Sequence, residues 1–173
     1  MAEIRIYGDP VLRKMAEPVT AFNDELKAFI GQMKIAMYES EGVGLAAPQV
    51  GRSIRLALVD TTAWEAEPYI LINPEITNFS EEKSDYDKGC LSVPDITLQI
   101  SRPSVVTVRA KDENGDEYTL ELVDGLLARA LQHETDHLDG ILFVDRATLV
   151  RRQLISGKLK KLAKSHKNVS KNS

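Results

Sequence analysis

The chain has 173 residues, 43% hydrophobic and 28% charged, the balance of one globular domain that can bury a core without disulfides. No window approaches the roughly 18 consecutive apolar residues of a membrane-spanning helix, and the first seven residues lack the basic and apolar regions of a secretory leader. We therefore expect a cytoplasmic protein with no membrane role. The net charge of −4 is unevenly spread: residues 146–173 carry nine Lys/Arg and no Asp/Glu, which leaves −13 on the rest. Such a basic end either meets a polyanion or is a solvated, fraying terminus.

In chain order, Asp9-Pro10 reads as an N-cap with proline at the first helical position, opening a short helix to about residue 16. Asn23 starts a longer one, with Leu26, Phe29, Ile30, Met33 and Met37 on one stripe and Gly42 as its stop. A small-residue stretch, Gly42-Val43-Gly44-Leu45-Ala46-Ala47-Pro48-Gln49, comes next. Strands are predicted over 54–59, 69–72 and 96–100, then 104–110 and 117–122 around an Asn114-Gly115 hairpin turn. Asp124 should cap a helix carrying Leu126, Leu127, Ala130, Leu131 and Leu138, which ends at Asp139-Gly140. A last helix over 146–164 places Val150, Leu154, Ile155, Leu159 and Leu162 at helical spacing, weakened at Gly157. Consecutive strands with helices before and after them favour α+β with mostly antiparallel sheets.

The chemistry concentrates in His133-Glu134-Thr135-Asp136-His137. Two histidines four residues apart project from one face of a helix and can converge on one ion. Glu134 lies beside them, where its carboxylate can reach a water rather than the ion. The same five-residue pattern also occurs on plain surface helices, but Leu131 and Leu138 draw this one toward a core. A catalytic site needs a third protein ligand and an open position. Downstream of His137 the chain offers only His166 and no glutamate, which disfavours the common metallopeptidase layouts. Cys90 is the lone cysteine. Such a residue is a small buried hydrophobe, a reactive thiol or a metal ligand, and beside two histidines the last becomes the candidate.

Three segments together resemble the signature motifs of the peptide deformylase family: 42–49, Gly89-Cys90-Leu91-Ser92, and Gln132-His133-Glu134-Thr135-Asp136-His137-Leu138-Asp139-Gly140. The resemblance extends over about residues 7–146. It implies an α+β fold with antiparallel sheets packed around a central helix bearing the H-E-x-x-H motif, plus a C-terminal helix. It implies one catalytic domain over 1–165 and a basic, frayed tail over 166–173. The implied activity is removal of the N-formyl group from the formyl-methionine of new polypeptides. Cys90, His133 and His137 resemble the metal ligands, with ferrous iron (Fe2+) the usual native ion and Zn2+, Ni2+ or Co2+ as substitutes. Glu134 matches the general base and later proton donor. Gln49 matches the side-chain amide that, with the backbone N–H of Leu91, holds the developing oxyanion. Gly44 matches a backbone contact to the substrate, and Val43, Tyr86 and Leu126 the apolar walls of the methionine pocket.

Two positions depart from the family pattern. Lys88 stands where Glu is common, and places a cation near Cys90 and the pocket mouth. Thr97 stands where an Arg often guides the substrate. The family's C-terminal helix implies ribosome docking, for which Arg151, Arg152, Lys158, Lys160, Lys161 and Lys164 would suit phosphate contacts. The competing readings are another metallohydrolase, such as an endopeptidase, and a non-catalytic ribosome-binding protein that keeps the fold.

Overall fold

Residues 45–46 and 56–59 are all apolar, the mark of strands covered on both faces. The computed structural model describes residues 3–171, with side chains through residue 166. Its strands are β1 (Gly44–Ala46), β2 (Leu56–Val59), β3 (Tyr69–Phe79), β4 (Lys83–Cys90), β5 (Val93–Pro103), β6 (Val106–Lys111) and β7 (Glu117–Val123). In space β1-β2-β3-β6-β7 make one antiparallel sheet, and β4-β5 a separate hairpin.

Alternation along the strands sets the layers. Leu45, Leu56, Leu58 and Ile72 pack with the apolar stripe of helix α1 (Asp24–Glu39). Ala46, Ala57, Val59, Leu71 and Val108 join Ala128, Ala130, Leu131 and Leu138 of helix α2 (Gly125–Leu138) in another cluster. The β4–β5 hairpin and the last helices meet in a third, around Ile96, Ile100, Phe143, Ile155 and Leu159. Residues 130–138 of α2 are therefore buried all round, though the run includes Gln132, His133, Glu134, Asp136 and His137. Burying that many polar groups in one helix calls for specific partners.

The α+β class and antiparallel pairing agree with the sequence reading. Asn23 accepts from the Leu26 N–H at 3.0 Å and caps α1 as expected. Asp9 also accepts from Val11, but the helix stops after one tight turn, Pro10–Arg13, because the Ala16 N–H is taken by Leu138 O at 2.8 Å. Asp124 occupies the N-cap of α2 without a side-chain capping bond. Gly140 closes the same helix at φ 72, where a Cβ would stand 2.6 Å from Arg13 O.

The single final helix is corrected by the structure. Residues 146–164 run from the last residue of α3 (Phe143–Arg146) through α4 (Leu149–Leu154) into α5 (Ser156–Lys171). Thr148 caps α4, and the turn at Ile155 sends Ile155 and Leu159 into the third cluster. Val150 and Leu154, expected on the packed stripe, are instead 69% and 80% exposed. Residues 166–171 of the expected frayed tail continue α5, and 172–173 lie outside the described residues. Among the described residues no helix is long and apolar enough to cross a membrane.

Candidate metal centre and active site

Helical spacing puts His133 and His137 on one face of α2, with their Nε2 atoms 3.0 Å apart. The β4–β5 hairpin brings the third group. Its register shifts between Lys88 and Cys90, and Cys90 Sγ comes to 3.3 Å from His137 Nε2. One donor atom each from Cys90, His133 and His137 lies within 4.8 Å of the others. Burial drives both imidazoles toward the neutral form, His137 down to about 3, with Lys88 a lesser contributor. Neutral imidazole is the form that binds metal. Burial and then Glu134 push the Cys90 thiol up to about 12, against the pull of Lys88.

Glu134 is buried beside them, and its Oε2 has no partner among the described residues. Desolvation raises its carboxyl to about 8, while Lys88 and Arg102 pull it down. Its carboxylate rests against Gly44, where an added Cβ would lie 2.9 Å from Glu134 Cδ. A side chain at 44 would therefore displace the Glu134 carboxylate, an effect of contact and not of φ. Gln49 is 2% exposed and held by its own oxygen, which accepts from the Ala46 N–H at 2.9 Å. That anchor turns Nε2 toward Ser92 Oγ (3.2 Å) and Cys90 Sγ (3.6 Å), so the amide presents a donor to the site. A cavity of about 400 Å³ opens over these groups, bounded by Val43, Gly44, Lys88, Leu91, Pro94 and Asp95.

The polypeptide deformylase family model matches residues 1–153. The chain belongs to the peptide deformylase family. The peptide deformylase of Brucella suis is 44% identical over 161 residues, covering 91% of each chain. That of Natranaerobius thermophilus is 49% identical over 151 residues, 87% of this chain and 95% of its own. A crystal structure of the Plasmodium falciparum deformylase superposes with a TM-score of 0.90 at 38% identity, covering 96% of this chain and 98% of that one.

The family is metal-dependent, and the donor set here fits a divalent ion. The deformylase motifs converge: Gln49, Cys90, Leu91, His133, Glu134, Gly44, Val43 and Lys88 all reach one cavity. Tyr86 and Leu126, expected as methionine-pocket walls, do not line it. Tyr86 shares the strand face of Lys88, but its ring is covered by the Arg129 guanidinium at 4.7 Å. Leu126 stands 47% exposed on the first turn of α2. Thr97 is exposed on β5, also outside the lining.

Sequence reasoning overlooked the groups on the other side of the deformylase helix. Asp136 lies between the two histidines in sequence, yet it pairs with Arg102 at 2.8 Å and Arg146 at 2.7 Å. The Arg102 and Asp136 side chains are only 5% and 9% exposed, so this is a buried ion pair. A cavity of about 460 Å³ opens beside that network and contains none of the three ligand candidates. A buried arginine 34 positions from its carboxylate leaves no local periodic signal; the charged Asp136 inside a buried helix was the available clue. Ser92 was visible in its motif, but its fully buried hydroxyl, which accepts from Gln49, was not.

Proposed function

We propose that this deformylase hydrolyses the formamide bond of formyl-methionine at the start of newly synthesised polypeptides, releasing formate. The observation that carries the reading is the convergence of Cys90, His133 and His137 within 4.8 Å, beside buried Glu134 and the donor end of Gln49. Cys90, His133 and His137 would hold one divalent ion. When bound, that ion supplies Lewis-acid polarisation and a positive charge that favours the Glu134 carboxylate. We assign ferrous iron as the working ion, as the family resemblance implies, while a thiolate and two imidazoles also accept zinc, nickel or cobalt.

Glu134 acts as general base, taking a proton from the attacking water, and then returns it to the leaving amine. Gln49 Nε2 and the Leu91 N–H receive the charge that develops on the formyl oxygen. The main chain at Gly44, on the cavity lining, aligns the substrate backbone. Val43 offers the methionine side chain an apolar wall, and Lys88 sets a positive charge on the same cavity. Tyr86 and Leu126, outside the lining of this cavity, are proposed as further walls for that side chain.

The test is formate release from formyl-Met-Ala-Ser under anaerobic conditions by iron-, nickel- and zinc-loaded protein, beside Glu134→Ala. Activity lost in that variant supports both reaction and base. Cleavage of unformylated peptides instead would favour an endopeptidase. We place the work in the cytoplasm, where formylated chains emerge, with a ribosome contact through the basic C-terminal helix. Exposed Lys160 and Lys164 support that contact, whereas Arg151 and Arg152 are engaged by Gln99 and Asp145. Co-sedimentation with ribosomes that persists after deletion beyond Gly157 would remove it.

A further inference from the structure

Beside the catalytic cavity lies a second hollow of about 260 Å³, between the start of β5 and α5. Ile96 and Leu162 give it apolar surface, while Lys158, Lys161 and Ser165 line the helix side. Pro94 and Asp95 border both spaces, so the hollow adjoins the catalytic cavity across these two residues. At 3.6 residues per turn, Lys158, Lys161 and Ser165 share one flank of α5 and Lys160 and Lys164 project elsewhere. The six basic residues between 151 and 164 are thus divided. Two are tied to the body through Gln99 and Asp145, two face away, and two stand at the exit of the catalytic cavity.

We infer that this hollow extends the substrate site. It receives the part of the formylated polypeptide that follows the first few residues, and Lys158 and Lys161 favour acidic side chains there. The inference rests on the deformylase reading of the adjoining cavity. A polypeptide whose formyl end reaches Glu134 must leave the cavity, and across Pro94–Asp95 it meets apolar surface flanked by two exposed ammonium groups. Asp95 is the opposing charge, so the hollow's own lining carries a net +1, whereas on the cavity side Lys88 is accompanied by Glu41 and Glu134. An apolar floor with flanking cations fits a polypeptide with acidic residues, and a chain leaving the adjoining cavity across Pro94–Asp95 supplies that polypeptide.

The experiment compares formyl-Met-Ala-Ser extended by three Glu or by three Lys, with formyl-Met-Ala-Ser itself reporting the active fraction of each preparation. Steady-state kinetics on metal-loaded protein are paired with fluorescence anisotropy of the labelled peptides. The acidic extension should lower KM about fivefold relative to the basic one, with kcat unchanged and the preference fading in 0.5 M salt. The double variant Lys158→Glu/Lys161→Glu should reverse the preference, and both side chains are exposed enough to spare the fold. Equal KM values, or a preference unchanged in the variant, would overturn the inference. So would a variant that keeps the preference but no longer pellets with ribosomes, since the lysines would then serve a nucleic-acid surface. If the tripeptide released no formate, the deformylase reading would fall separately. Anisotropy would still decide the hollow, by whether lysine-dependent binding of the acidic peptide remained.

Discussion

The two sides of α2 differ in how their carboxylates are paired. Toward the cavity, Glu134 Oε2 is buried without a hydrogen-bond partner among the described residues, and Cys90 Sγ and the two imidazole Nε2 atoms converge on one another. One residue from His137, the Asp136 carboxylate is held by two guanidinium groups at 2.7 and 2.8 Å, although Nε and Nη2 of buried Arg102 have no partner among the described residues. Leaving polar groups unsatisfied costs stability, and at Glu134 the cost falls where an ion, water and substrate would be bound. Rigidity comes from the other side of the same helix. Separating the two lets the reactive groups keep capacity for ligands without loosening the element that aims them.

The largest expected effect comes from cutting on the cavity side. Glu134→Gln should lower formate release by about 10²–10⁴, the usual contribution of a positioned base, with the urea midpoint unreduced. A matching loss of fold would mean that the two sides are not separable. Cutting on the other side should do the reverse. Asp136→Ala strands Arg102 in the interior and should cost about 3–5 kcal/mol in urea unfolding. The control Arg146→Ala, whose side chain is 45% exposed, should cost no more than about 1 kcal/mol.

Gln49→Ala removes one oxyanion donor and should reduce kcat by about 10²–10³ with a smaller change in KM. A pure KM effect would make Gln49 a ground-state contact instead. The mildest test is the pH dependence of the metal-free fold. Folded Glu134 keeps a proton to about 8 that the unfolded chain releases near 4.5, so stability falls as pH rises between those values. His137, depressed to about 3, refuses a proton that the unfolded chain takes below 6.5, so stability also falls as pH drops through that range. Each should contribute a slope on the order of 1 kcal/mol per pH unit. Thermal melts in chelator should lose the alkaline slope in Glu134→Gln and keep the acid one.

Legibility followed range along the chain. The stripe of α1 and the caps at Asn23 and Asp9 came directly from spacing and side-chain chemistry. β4 did not, because Lys-Ser-Asp-Tyr-Asp-Lys has no alternation of its own and becomes a strand by pairing with β5. β3 and β5 likewise grew beyond the predicted 69–72 and 96–100 once they had partners. The C-terminal segment misled because Val150 and Leu154 fit a helical stripe whose continuity the turn at Ile155 breaks.

The amino-acid sequence by itself determined the family motifs, the α+β class and the pairing of His133 with His137, since an i, i+4 relation is local geometry. It also nominated Cys90, Gln49 and Glu134 as chemical types. Only the tertiary structure decided that the Cys90 thiol reaches the imidazoles, that Gln49 turns its donor inward, and that Gly44 makes room for Glu134. It alone exposed the Arg102–Asp136 brace, the covering of Tyr86 by Arg129, and the lysine-lined hollow beside Asp95. The physical reason is common to all of them. Each joins groups far apart along the chain, and such contacts are set by how layers pack, which no local period encodes.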